Sequence, residues 1–140
     1  MAGDLFVRAH AGESLDAFAG RMAAVFNLGR VERRESSSYA GEEYFKAASL
    51  SVTVKFARAD EADLEGYDFW LHLQPTEVWI ENPFFVDGLA DLLARALTLA
   101  GEHVVRIVNA ERRDSRRKVF YEIDLKVPRG SKGHVVTTEK

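Results

Sequence analysis

The residues that could do chemistry are concentrated between positions 60 and 72. A run of acids without an intervening base occupies nine residues, here called the acidic loop: Asp60, Glu61, Asp63, Glu65 and Asp68. Tyr67, Trp70 and His72 lie within or directly after it. Two carboxylates suit general acid–base chemistry when a fold holds them across a cleft, whereas in a loop they stay solvated and ionised. We therefore expect an anionic surface here and not a catalytic pair.

Signatures of common enzymes are missing from the rest of the sequence. The four histidines, at positions 10, 72, 103 and 134, have no short spacing to one another or to an acid that would place a metal pair on one element. The chain has no cysteine, and its glycines form none of the phosphate-binding patterns. We expect His72 to be a half-exposed histidine on a sheet face. The prediction is a protein without catalytic residues, bound metal or cofactor, and so not an enzyme.

Composition and charge narrow the class of protein. A hydrophobic fraction of 46% with 29% charged residues predicts a folded chain, and its length fits one domain over residues 1–140. No apolar run approaches the roughly 18 residues that a membrane helix needs, and the first residues lack a secretory apolar region. We expect a cytoplasmic protein without a membrane partner.

A basic stretch at residues 112–118 raises nucleic-acid binding as an alternative. Its basic residues are diluted by two acids, Glu111 and Asp114, and the net charge of the chain is −3. A nucleic-acid interface needs a broad basic face with stacking aromatic side chains. We interpret this stretch as a solvated turn and expect no nucleic-acid partner.

The elements that must position these residues follow from the apolar pattern. Ser14 is placed to cap a helix whose apolar stripe is Leu15, Phe18, Ala19, Met22, Val25 and Phe26. A second stripe, Leu89, Leu92, Leu93, Ala96, Leu97 and Ala100, predicts another helix with Asp87 as its cap. Strict alternation from Leu50 to Phe56 and from Phe69 to Leu73 predicts two antiparallel strands.

Further short strands complete the expected fold. We predict strands at residues 5–10, 31–34, 77–80, 104–108 and 119–127, and a loose tail over about 129–140. Strands and helices do not alternate as a parallel sheet requires, so an α+β fold is favoured. We expect a mostly antiparallel sheet with two helices on one face and the other face partly open to a partner.

Trp70 is the residue that best links this fold to binding. It alternates with Phe69 and Leu71, so it lies on the opposite face of its strand from these apolar neighbours. Trp70 is either buried under another segment or exposed, and an exposed tryptophan beside an anionic loop is typical of a protein-binding hot spot. The predicted partner-binding residues are Asp60, Glu61, Asp63, Glu65, Asp68, Tyr67, Trp70 and His72.

The central third of the chain, residues 39–73, resembles a known class of protein. GEEYFKAASLSVTVKFARAD, followed after the acidic residues by YDFWLHL, is similar to small bacterial immunity proteins of polymorphic and contact-dependent toxin systems. The resemblance implies a cytoplasmic antitoxin without enzymatic activity. Such a protein binds a cognate toxin domain, commonly a nuclease, and its acids pair with the basic substrate groove of the toxin.

Two other functions stay open at this point. The open sheet face could hold a small ligand or a reacting substrate, with His72, Trp70 and nearby acids lining a pocket. The chain could also be an oligomeric scaffold without a ligand. An upstream gene encoding a large secreted protein with a variable carboxy-terminal domain would favour the antitoxin, and a metabolic neighbour would favour the ligand-binding domain.

Overall fold

The computed structural model describes residues 3–49, 52–60, 64–75, 83–108, 116–123 and 135–139. Its elements follow the order βαββββαβββ. They are β1 Gly3–Val7, α1 Leu15–Val25, β2 Glu32–Glu35, β3 Ala40–Ser49, β4 Val52–Arg58, β5 Phe69–Pro75, α2 Pro83–Leu99, β6 Val104–Val108, β7 Arg117–Ile123 and β8 Val135–Glu139. The strand predicted at residues 77–80 lies outside the described residues.

The strands form a single sheet in the order β2-β3-β4-β5-β1-β6-β7-β8. Every neighbouring pair is antiparallel. Both helices pack on the same face, α1 over β3 and β4 and α2 over the strands from β5 to β8. This confirms the α+β prediction, with a mostly antiparallel sheet and two helices on one face. We call the covered side the helix face and the other side the open face.

The core lies between the helices and the sheet. Leu15, Phe18, Ala19 and Met22 of α1 are buried as predicted, and Ser14 caps the helix by accepting a hydrogen bond from the Ala17 amide. The stripe of alternate residues from β4 and β5 is buried against them: Val52, Val54, Phe56, Phe69, Leu71 and Leu73. The rings of Phe18 and Phe69 stack with centroids 4.4 Å apart. Strand periodicity therefore identified the buried face correctly.

The predicted surface of α2 is partly wrong. Its buried residues are Val86, Ala90, Ala94 and Leu97, together with Thr98. Leu89 and Leu93 are only half-buried, while Ala96, Ala100 and Leu92 are exposed, Leu92 by 61%. Small residues face the sheet because the helix approaches it closely: a Cβ built at Gly3 would lie 3.0 Å from that of Ala90.

The start of α2 and the structure of the segment at residues 135–139 also differ from the sequence-based expectation. The helix α2 begins at Pro83, so Asp87 lies inside it and does not cap it. Proline suits the first turn of a helix, where its missing amide hydrogen is not needed. Residues 135–139, for which we expected a loose tail, instead form β8 and pair with β7. Their backbone hydrogen bonds tie this segment to the sheet without requiring many apolar anchors.

Candidate functional site

The described part of the acidic loop, Asp60 and residues 64–68, lies between β4 and β5 and contacts the open face through Leu64 and Tyr67. Asp60, Glu65 and Asp68 are exposed, as predicted, and Glu61 and Asp63 lie outside the described residues. Asp68 has a structural contact as well: its Oδ2 accepts a hydrogen bond from the Ala9 amide at 3.2 Å. The end of the acidic loop is thereby tied to the segment that follows β1.

Part of the acidic loop covers the open face. Leu64 is buried in a small apolar cluster with Phe6, Val105 and Ile107, and the half-buried Tyr67 packs against the same cluster. The guanidinium of Arg8 lies over the Tyr67 ring, 5.3 Å from its centroid. Sequence reasoning treated this loop as solvated throughout, and it missed the apolar anchor because Leu64 stands alone between acids.

Trp70 and His72 are brought together by a residue that the sequence analysis did not select, Asp4. The three side chains share the open face because β1 pairs with β5, with Asp4 opposite His72 and Phe6 opposite Trp70. Trp70 donates its indole Nε1–H to Asp4 Oδ1 at 2.9 Å. The Nδ1 of His72 lies 2.7 Å from the same oxygen, which is a hydrogen-bond distance at which an Nδ1–H group donates to the carboxylate. Asp4 is thus the hub of the site.

Trp70 is held on several sides. Its ring is nearly parallel to that of Phe6, with centroids 6.3 Å apart, and its centroid lies 4.8 Å from that of His72 and 6.0 Å from that of Tyr39. Trp70 is half-buried, and it is therefore not the fully exposed tryptophan that the hot-spot interpretation of the sequence assumed. With its N–H bonded and its ring packed, the indole keeps one orientation.

A bulge in β3 positions Tyr39. The register between β3 and β4 shifts between Ala40 and Tyr44, and both Gly41 and Glu42 have positive φ, +74° and +60°. Positive φ at a residue other than glycine costs about 1–2 kcal/mol. The bulge turns the chain back so that the Tyr39 ring stacks on that of Tyr44, with centroids 4.4 Å apart. Bulges of this kind re-aim side chains beside functional sites.

These residues line a pocket of about 180 Å³ on the open face, here called the Asp4 pocket. Its lining residues are Asp4, Phe6, Ser38, Tyr39, Ala40, Arg58, Asp60, Trp70, Ile107 and Arg116. Two predicted partner-binding residues, Asp60 and Trp70, are among them, and His72 adjoins the pocket through Asp4. Tyr67, Glu65 and Asp68 lie outside it. One sequence signal pointed to the missed hub, since Asp4 interrupts the apolar strand GDLFV.

Two further polar clusters lie near the helices. Arg21 of α1 donates to Glu13 Oε2 from Nε at 2.7 Å and to Glu102 from Nη1. The hydrogen bond from Arg21 lowers the pKa of Glu13, against the opposing effect of burial. The imidazole of His10 lies beside Glu102, with Nε2 of His10 3.4 Å from Oε1 of Glu102. This cluster fastens α1 to the turn that precedes β6.

The second of these clusters joins α2 to the sheet. Tyr121 donates its hydroxyl hydrogen to Asp91 at 2.8 Å and accepts a hydrogen bond from Arg106 Nε at 2.9 Å. Burial, followed by the hydrogen bond to Asp91, raises the pKa of Tyr121 to about 12. Burial alone would raise the pKa of Asp91, but hydrogen bonds from Arg95 and Tyr121 outweigh it and lower that pKa. These groups satisfy one another and leave the open face as the candidate site.

Among the described residues, no three His, Asp or Glu side chains are grouped so as to hold a metal ion. Neither described helix combines the length and apolar character needed to cross a bilayer. Comparison with protein-family models, with curated proteins and with solved structures gave no match for this chain. The geometry of the open face is therefore the basis for a functional proposal.

Proposed function

We propose that this protein is an immunity-type inhibitor, a cytoplasmic antitoxin that binds a cognate bacterial toxin domain, commonly a nuclease, through its open face. The observation that carries the proposal is the fixed orientation of Trp70 above the sheet. Its N–H is bonded to Asp4 and its ring packs against those of Phe6 and Tyr39. A rigid aromatic anchor loses little conformational entropy on binding, which is why tryptophan dominates protein-binding hot spots.

The charges around this anchor support a basic partner. Asp60, Glu65 and Asp68 expose carboxylates in the acidic loop, and Asp60 lines the Asp4 pocket together with Arg58. Complementary charge increases the rate of encounter and selects against acidic partners. A nuclease presents basic groups to the phosphates of its substrate. An inhibitor that covers such a groove gains from acids placed around an aromatic centre.

The size of the Asp4 pocket also favours a protein partner. Its 180 Å³ is below the roughly 300–1,000 Å³ of typical pockets for small-molecule ligands. A single side chain from another protein needs less room. The pocket therefore suits a protein interface better than a site for a whole metabolite.

The experiment measures whether this protein binds and inhibits a toxin domain encoded beside it. Where the upstream gene encodes a large secreted protein, its carboxy-terminal domain is purified and the association of that domain with this chain is followed kinetically. Wild type is expected to bind and neutralise it, and Trp70→Ala is expected to dissociate about 30-fold faster or more. Leu92→Ala, which removes an exposed leucine from α2 on the other side of the sheet, is the matched control and should bind like wild type.

Two results would count against this proposal. One is a wild-type chain that neither binds nor neutralises that domain. The other is Trp70→Ala with the dissociation rate of wild type, which would place the interface away from the open face. Thermal unfolding of both variants separates lost binding from lost folding.

A second candidate function, acid–base chemistry on the open face, is favoured by the hydrogen bond between Asp4 and His72. An acidic group that orients a histidine through Nδ1 leaves Nε2 to exchange protons with a substrate. The side chain of His72 is only 13% exposed, and the residue does not line the Asp4 pocket. Hydrolase or transferase activity that is lost in a folded His72→Ala variant would establish this function in place of the inhibitor.

A further inference from the structure

Asp4 buries a carboxylate in the middle of the sheet, in the strand that lies between β5 and β6. The residue is 6% exposed, and burying a charged group is costly unless hydrogen bonds satisfy it. Both hydrogen bonds that the described residues give to it end on Oδ1, from Trp70 and from His72. The other oxygen, Oδ2, accepts none from the described residues. Asp4 lines the pocket with part of its acceptor capacity unused.

The surroundings of Asp4 within the pocket are aromatic and apolar. Trp70 and Tyr39 form adjoining walls with ring centroids 6.0 Å apart, and Phe6 and Ile107 also line the space. Aromatic faces attract cations that approach within about 6 Å of the ring centre. A carboxylate beside two such rings favours a cationic hydrogen-bond donor over an anion or a neutral group.

The other charged residues of the pocket do not reverse this preference. Arg58 and Asp60 are both exposed, so their opposite charges nearly cancel and are screened by water. Arg116 takes part in an interaction of its own. Asp4 is the most deeply buried of these charges, and interactions with a buried charge are screened least.

We propose that the Asp4 pocket is a receptor for one arginine side chain of the protein partner. The guanidinium lies against the rings of Trp70 and Tyr39 and donates a hydrogen bond to Asp4 Oδ2. A planar guanidinium stacks on aromatic faces and is less strongly hydrated than an ammonium group, so arginine fits this site better than lysine. The pocket volume of about 180 Å³ leaves room for a guanidinium group.

This inference rests on the proposed function for the identity of the partner. Its test does not need the partner protein. The probe is N-acetyl-L-arginine amide, which carries the guanidinium and no other charge. Binding is followed through the Trp70 indole N–H signal in NMR spectra, assigned with Trp70→Phe because the chain has two tryptophans. We expect a saturable shift in the millimolar range, and at least about tenfold weaker binding of the neutral citrulline analogue.

The decisive variant is Asp4→Asn. Its amide oxygen still accepts from Trp70 and His72, while its NH₂ group replaces Oδ2 and repels a donor. Arginine-probe binding should fall by at least about tenfold. Asp16→Asn makes the same chemical change in an exposed acid of α1, outside the pocket, and should leave binding unchanged. Tyr39→Leu removes an aromatic wall without touching Asp4, so it provides a second loss of binding if Asp4→Asn folds poorly.

The outcomes separate this proposal from the proposed function. Equal binding of the arginine and citrulline probes, or wild-type affinity in both Asp4→Asn and Tyr39→Leu, would overturn the arginine receptor. Such a result leaves the antitoxin proposal standing if Trp70→Ala still releases the toxin domain. Conversely, Asp4-dependent binding of the arginine probe supports the receptor even where the toxin domain is not bound.

Discussion

The two faces of the sheet bury different kinds of residue. The helix face is closed by α1 and α2 over a large apolar core, and its polar groups, such as Tyr121 and Asp91, bond to one another. The open face has a small apolar cluster beside a buried carboxylate, Asp4, and a half-buried tryptophan. A chain that only needed to fold would have little use for that carboxylate. Under the proposed function, the helix face supplies stability and the open face supplies recognition.

The largest effect should come from the core on the helix face. Phe18 is fully buried and stacks on Phe69, so Phe18→Ala should lower the free energy of unfolding by about 3–5 kcal/mol. Phe6→Ala, in the smaller cluster beside the pocket, should cost less, about 1–3 kcal/mol, because water can enter the space it leaves. Chemical denaturation of both variants measures the comparison. Equal losses would mean that the two faces contribute alike to stability.

The sequence predicts those features of the two faces that depend on neighbouring residues. It does not predict contacts between residues that are far apart in the chain. Alternation within β4 and β5 identified their buried residues, and Ser14 marked the start of α1, because these signals are local. The place of β1 in the centre of the sheet is not a local property. The Asp4–His72 contact joins residues 68 positions apart, so the site could be predicted only in part, through Trp70 and Asp60.

The surface of α2 shows a different limit. Its leucines form an apparent stripe, and the residues that face the sheet include Ala90 and Ala94 because Gly3 allows the helix to come close. Apolar size alone favoured Leu92, which is exposed. Periodicity identified the helix, whereas the packing distance decided which of two neighbouring surfaces is buried.

The next largest effect should come from the hub of the open face. Asp4→Leu leaves the half-buried N–H groups of Trp70 and His72 without their acceptor, which should cost about 1–3 kcal/mol of stability. Asp4→Asn keeps an acceptor for both and should cost less than about 1 kcal/mol. Denaturation midpoints of the two variants, measured side by side, test this. If leucine were neutral or stabilising, Asp4 would not be the hub of a satisfied network.

A smaller effect with a distinct pH dependence should mark the polar cluster on the helix face. Folding raises the pKa of Tyr121 to about 12, so the folded state favours the neutral phenol. Its stabilisation is complete below pH 10 and declines as the pH rises from 10 towards 12. Tyr121→Phe should lose about 1 kcal/mol at neutral pH and lack this alkaline decline. Stability measured against pH for both chains, at fixed ionic strength, checks the difference; parallel curves would contradict it.

The smallest effect on stability should come from the acidic loop, although its effect on binding should be large. Replacing Asp60, Glu61, Asp63 and Glu65 by Ser should change the free energy of unfolding by no more than about 1 kcal/mol. The two of these acids that the structure describes, Asp60 and Glu65, are exposed, and exposed charges contribute little to stability. Asp68 is retained in this variant because it accepts a hydrogen bond from the Ala9 amide.

Association of the quadruple variant with the toxin domain should become slower and less dependent on salt, while dissociation changes little. Kinetics at several salt concentrations test this, with Trp70→Ala as the contrast because it should act on dissociation. If the quadruple variant associates like wild type at low salt, the acidic loop is a solvated turn, and the basic stretch at residues 112–118 becomes the next surface to test.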